Sequence, residues 1–169
     1  MRIGLIGSGK MARAMARGWG EPVLCTDVVH AHAAALAAET GGEVVAGNAE
    51  LAERADLVVL CHKPGQLHQV AAEVAPHAKA VASILGGVPM ADLRSAYGDE
   101  LPVYRLLPST PVEVRQGVVI LAAHPPQDPA LDAAVEERFA ALGTLVILEE
   151  HLVDVAMGLM SNAPAYMAL

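Results

Sequence analysis

The sequence predicts an α/β fold built on a doubly wound, mostly parallel sheet. Three observations carry that prediction. Short apolar runs alternate with helical segments through the first hundred or so residues. The run at 56–62, Asp-Leu-Val-Val-Leu-Cys-His, is almost continuously apolar, as a strand is when helices cover both faces of its sheet. The first apolar strand (Ile3, Leu5, Ile6) runs straight into Gly7-Ser8-Gly9-Lys10-Met11-Ala12, the glycine spacing of a strand–turn–helix unit.

The elements follow in order. A helix is expected over 10–19 and a second strand over 22–27. An Ala-rich helix over 30–39 is stopped by Gly41-Gly42. Residues 43–46 form a short third strand, and 48–54 a short helix with Asn48 as its N-cap, because a short polar side chain can accept from the first free amides. The fourth strand is 56–62. Pro64 then opens a helix to 74, proline being tolerated at the first helical position. Residues 79–85 make a fifth strand ended by Gly86-Gly87, 89–97 a helix and 102–107 a sixth strand. After Pro108 the rhythm changes. Strands are expected at 117–123 and 145–149, with a helix at 129–142 closed by Gly143. The stretch His124-Pro125-Pro126-Gln127-Asp128-Pro129 is a loop within one compact unit. Residues 151–169 read as an apolar helix without a C-cap signal. The domain reading is therefore a nucleotide-binding unit over 1–150 and the start of a second, helical unit over 151–169 that is cut short.

Composition narrows the function classes. With 54% hydrophobic and 18% charged residues the chain is globular, and 169 residues suffice for one well-buried domain. A net charge of −8 argues against a nucleic-acid binder that tracks phosphates with a basic patch. Cys25 and Cys61 both sit in strand-like apolar runs, which points to buried free thiols in a reducing cytoplasm. The first strand begins at residue 2, so no secretory leader is expected, and no apolar run approaches bilayer-spanning length.

The glycine turn carries the chemistry. Gly7 permits the tight turn, Gly9 lets the backbone approach a pyrophosphate, and Ala12 allows the helix to pack close to the strand. Ser8, Lys10 and Met11 complete the turn, and the helix presents its free N–H groups and positive dipole end to the anion. Asp27 ends the second strand about twenty residues beyond Gly7, where a carboxylate accepts from adenosine ribose hydroxyls and repels a 2′-phosphate. The residues that follow, Val28, Val29 and His30, bring no Lys or Arg, so NADH is favoured over NADPH; His30 or His32 could soften the preference. Cys61-His62-Lys63-Pro64 ends the fourth strand, beside the first, so Lys63 can reach a cofactor or a substrate carboxylate. His62 and His68 have no third ligand at useful spacing, and no metal is expected. Ser83, Ser95, Ser109 and Ser161 lack a nucleophile elbow. The two prolines of Pro108-Ser109-Thr110-Pro111 fix a loop at the crevice, with Ser109 and Thr110 offering hydroxyls.

Taken together these segments resemble the pyrroline-5-carboxylate reductase family. Ile-Gly-Ser-Gly-Lys-Met-Ala at the first turn is similar to the family's nucleotide turn. Gly47-Asn48-Ala49-Glu50 resembles its ribose-contacting segment, and His62-Lys63-Pro64 its Val-Lys-Pro. Ser83-Ile84-Leu85-Gly86-Gly87-Val88 resembles its Ser-Ile-x-x-Gly-Val. Residues 105–111 resemble its Arg-x-Met-Pro-Asn-Thr-Pro, and Ala163-Pro164-Ala165-Tyr166 its Gly-Ser-x-Pro-Ala-Tyr. The resemblance implies an NAD(P)H-dependent Rossmann-type reductase of a cyclic imine, in proline biosynthesis. It implies that Gly7 to Met11, Asn48 and Cys61 to Pro64 hold the cofactor, with Gly86 and the Pro108 loop near the nicotinamide. It places Lys63 and Ser109 as candidate catalytic residues, and implies an imino- or amino-acid substrate and a homodimer or larger assembly made through the C-terminal helix. The chain departs from the family pattern at Ser109 for Asn, at His62 for a small apolar residue, and at Ser161-Asn162-Ala163 for a Gly-Ser-small run. Two other classes remain open: a different reductase on the same scaffold, such as a relative of the 3-hydroxyacid dehydrogenases acting on another small carboxylate, and a nucleotide-binding module without turnover.

Overall fold

Strands made of apolar residues on both faces must be covered on both faces, and the chain achieves this with a single eight-stranded sheet. A computed structural model describes residues 1–162 and Met167. The strands are β1 (Ile3–Ile6), β2 (Leu24–Thr26), β3 (Glu43–Val44), β4 (Leu57–Leu60), β5 (Val81–Ser83), β6 (Val103–Pro108), β7 (Gly117–Ala122) and β8 (Gly143–Leu148), in the spatial order 3-2-1-4-5-6-7-8. Every pair from β3 to β6 is parallel. The β6–β7 pair is antiparallel and β7–β8 parallel again. Connection length explains the reversal. Only residues 109–116, including a 3-10 turn at Thr110–Val114, join β6 to β7, too few for the crossover that a parallel partner needs. Between β7 and β8 a whole helix intervenes, and the parallel arrangement returns.

The helices are α1 (Lys10–Trp19), α2 (His30–Thr40), α3 (Asn48–Arg54), α4 (Leu67–Val74), α5 (Met90–Tyr97), α6 (Pro129–Ala140) and α7 (Glu150–Met157). One buried cluster joins α1, α2 and α6 to the sheet through Met15, Trp19, Leu36 and Phe139, packed on Leu5, Leu57 and Tyr104. The other joins α3, α4 and α5 through Leu51, Val70 and Leu93, packed on Ile6, Val58 and Leu60. The Trp19 and Phe139 rings meet edge to face at 5.7 Å, and the indole N–H donates to the Arg138 carbonyl at 2.9 Å, so neither ring leaves a polar atom stranded.

Several sequence expectations are corrected by tertiary contacts. Asn48 is not the N-cap of α3: Gly47 holds that position, and the Asn48 side chain is drawn away by partners on β2 and α4. The helix expected over 64–74 is divided into a 3-10 turn at Pro64–Gln66 and α4. Gly143 does not close a helix but begins β8. Its φ is +142°, and a Cβ there would meet the Gly117 carbonyl oxygen at 2.0 Å, so the β7–β8 pair starts on a contact only glycine allows. The last helix begins at Glu150, ends at Met157 and continues as a π-helical turn, Gly158–Asn162. Residues 163–166, which carry one of the family motifs, lie outside the described residues.

Helix α7 is tied to the sheet by a charge. Arg105 on β6 is 1% exposed and donates to Glu150 at 2.7 Å and to Asp154 at 2.6 Å. The same Glu150 oxygen accepts from the Met90 amide at the start of α5, at 2.9 Å. A buried guanidinium without its acids is costly, so these contacts fix where α7 lies. Arg105→Ala, which empties a buried site and releases α7 from the sheet, is expected to cost about 3 kcal/mol in urea unfolding, and Asp154→Ala, at the more exposed end, about 1 kcal/mol.

Candidate functional site

The chain leaves β1 into α1 on one face of the sheet and leaves β4 into α4 on the other, although β1 and β4 are neighbours. Their carboxyl ends therefore diverge, and in open α/β sheets that is where ligands bind. A cleft of about 850 Å³ opens there.

Gly7 is the floor of the cleft. Its φ is +94°, its N–H donates to the Thr26 carbonyl at 2.9 Å, and a Cβ would stand 2.7 Å from both the carbonyl carbon and oxygen of Cys61. Gly9 is the N-cap of α1 and has open space where a Cβ would be; no side chain caps the helix, so its first amides are free for an anion. Lys10, Met11 and Ala12 line the cleft beside it. Ser8 does not line it. This residue is buried; its amide donates to Asp27 at 2.7 Å and its hydroxyl to the Thr26 carbonyl at 3.3 Å. Ser8 shapes the turn, while its glycine neighbours line the cleft.

Asp27 and Asn48 lie at the β2 side of the cleft. The Asp27 carboxylate accepts from Ser8 on one oxygen and from the Val29 amide, at 2.8 Å, on the other, with His32 Nδ1 3.6 Å away. Asp27 thus holds the glycine turn against the end of β2 as well as facing the cleft. Asn48 accepts from the Thr26 hydroxyl and donates to Glu73, both at 2.8 Å.

Cys61, His62, Lys63 and Pro64 form the opposite lip, and Gly86, Leu107 and Pro108 close the far end together with Met157 and Ser161 of the C-terminal segment. A Cβ at Gly86 would touch the Met157 sulfur at 3.7 Å. Burial pushes the Cys61 thiol up, so it stays protonated. Burial pulls the His62 imidazole below its ordinary value, while the Lys63 carbonyl 2.9 Å from Nδ1 fixes the proton on that nitrogen. His62 Nε2 is buried without a partner. Ser109 stands apart from the cleft: its hydroxyl accepts from the Val118 amide at 2.8 Å, and its own amide donates to the Val118 carbonyl at 2.9 Å. Its place is in the β6–β7 hairpin, where it holds the backbone that carries Pro108.

Among the lining residues that sequence reasoning missed are Thr26, Gln66, Gln69, Glu73 and Met157. Gln66, Gln69 and Glu73 recur at helical spacing on one stripe, a signal that was available; Met157 had none, because Arg105 decides its place. Among the described residues, no group of three His, Cys, Asp or Glu side chains is placed for a metal ion, and no helix is long and apolar enough to cross a membrane.

A mostly parallel sheet with a glycine turn at its switch point defines the class of this protein. The chain belongs to the family described as NADP oxidoreductase coenzyme F420-dependent, whose model matches residues 2–87. It is similar to the pyrroline-5-carboxylate reductases, as the motifs imply. It is 32% identical to that of Pseudomonas aeruginosa, covering 99% of this chain and 65% of the relative, and 30% identical to that of Synechocystis, covering 100% and 66%. The structure of a pyrroline-5-carboxylate reductase from Coxiella burnetii superposes with a TM-score of 0.88 at 26% identity, covering 98% of this chain and 66% of that one. The chain thus spans just under two thirds of the length of the relatives it matches.

The two turn glycines should separate structure from binding. Gly7→Ala is expected to destabilise the fold by about 2–4 kcal/mol through a positive φ and a backbone clash. Gly9→Ala should leave the thermal midpoint in place and weaken only an anion seated on the turn. The His62 ring should titrate below 6.5 by NMR. Its lowered value means the unfolded chain takes up the proton first, so its contribution to stability is whole above pH 6.5 and declines as pH falls. His62→Gln should flatten that acid limb of the stability curve.

Proposed function

We propose that this chain is the nucleotide-binding part of an NAD(P)H-dependent oxidoreductase that reduces 1-pyrroline-5-carboxylate to proline. One observation carries the reading: similarity to pyrroline-5-carboxylate reductases extends over nearly all of this chain, and five of the segments that resemble them contribute Gly7, Asn48, Lys63, Gly86 and Pro108 to one cleft at the switch point. The residues fit a dinucleotide. Gly7 leaves no room for a side chain against Cys61, and the uncapped start of α1 offers amides to a pyrophosphate. Asp27, Asn48 and Thr26 suit an adenosine ribose, and Gly86 and Pro108 bound the nicotinamide end. A reduced nicotinamide, when bound, supplies the hydride. The protein's part is alignment, with Lys63 on the lip offering a cation to the substrate carboxylate. Ser109 contributes by fixing the Pro108 backbone.

The carboxylate of Asp27 and the absence of Lys or Arg at 28–32 favour NADH over NADPH. Residues 151–169 begin a separate helical unit in this reading. The exposed Leu152, Val155 and Leu159 on α7 and the turn after it support association there as a homodimer or larger assembly. Two free cysteines fit a reducing cytoplasm.

The test is loss of 340 nm absorbance from NADH and NADPH with pyrroline-5-carboxylate, alongside direct titration of both nucleotides by fluorescence. Binding of NADH with imine-dependent oxidation is the expected outcome; binding of neither nucleotide would sink the reading. Asp27→Ser should move the NADPH-to-NADH affinity ratio about tenfold toward NADPH, since it removes one like-charge contact worth roughly 1.4 kcal/mol.

A further inference from the structure

Asn48 is the first residue of α3, where a carboxamide would ordinarily turn back to cap its own helix. It does not. Its Nδ2 donates to Glu73 Oε2 at 2.8 Å, across to α4, and its Oδ1 accepts from the Thr26 hydroxyl at the end of β2, also at 2.8 Å. A carboxylate can only accept, so Glu73 dictates which way the amide points; the reverse orientation would set two oxygens against each other. With those bonds made, Asn48 keeps one N–H and one lone pair, and Thr26 keeps both lone pairs on its hydroxyl oxygen. All three residues line the β2 end of the cleft, next to Asp27.

We infer that Glu73 is a positioning residue that orients Asn48 to receive the vicinal hydroxyls of a ribose. Each hydroxyl of such a diol both donates and accepts, which is what the remaining N–H of Asn48 and the lone pairs of Asn48 and Thr26 can meet. Glu73 acts through Asn48, and the two carboxylates flanking the spot, Asp27 and Glu73, disfavour a phosphate ester on the diol. The inference rests on the dinucleotide reading above.

The test is a double-mutant cycle on NADH affinity, measured by fluorescence titration of the whole chain. Asn48→Ala and Glu73→Ala are each expected to weaken NADH about tenfold, the scale of one hydrogen bond aided by a charge. In the Asn48→Ala background Glu73→Ala should add nothing, because its effect passes through the missing amide. Glu73→Gln, which keeps an acceptor for Nδ2, should recover most of the affinity that Glu73→Ala loses. The Glu73 side chain is exposed, so these variants fold; matching thermal midpoints check this. Additive losses, or a Glu73→Ala protein that binds NADH like wild type while Asn48→Ala does not, would overturn the positioning role and leave the dinucleotide reading standing. A wild-type chain that binds neither NADH nor NADPH overturns both.

Discussion

The contact between Gly7 and the backbone of Cys61 is the constraint on which the site depends. β1 and β4 are paired in register from Ile3–Leu57 to Ile6–Leu60 and must then part, one toward α1 and the other toward α4. A side chain at position 7 would collide with the Cys61 carbonyl before they could separate. Because that position is glycine, the turn after β1 sits directly on the end of β4, and the amides of α1 reach the same cleft as the 61–64 lip. The ends of β2 and β5 are then carried into the cleft by parallel pairing, which aligns the carboxyl ends of neighbouring strands.

Asp27 shows how one side chain serves both framework and site. Its oxygens hold the Ser8 and Val29 amides, which locks the glycine turn to the end of β2. The charge that holds that turn also lines the cleft, so the geometry of the turn and the proposed preference for a nucleotide without a 2′-phosphate would have one source. His62 and Cys61 provide a contrast. Burial keeps both neutral, so the lip carries its positive charge on Lys63 alone.

The far wall of the cleft comes from a different part of the chain. Arg105, buried in β6, draws Glu150 and Asp154 onto the sheet and so brings Met157 against Gly86. Val153 packs with Leu107 and Ile120 beneath it. The apolar side chains of α7 that are not buried here, Leu152 and Val155, face outward.

The sequence alone determined the alternation of strands and helices, the sheet class, the position of the turn and part of the cleft lining, namely Gly7, Gly9 to Met11 and Cys61 to Pro64 with Asp27, Asn48 and Gly86. These are local consequences: apolar runs, glycine spacing and proline positions act within a few residues of themselves. The extent of α1 was legible for the same reason. Only the tertiary structure decided the roles that depend on a distant partner. Asn48 leaves its own helix cap for Thr26 and Glu73, and Ser8 and Ser109 turn from ligand contacts into braces bonded to Asp27 and Val118. Gly143 opens a strand against Gly117. A hydrogen bond between residues dozens of positions apart has no periodic trace in the chain, and it outweighs the local preference wherever a polar group would otherwise be buried without a partner.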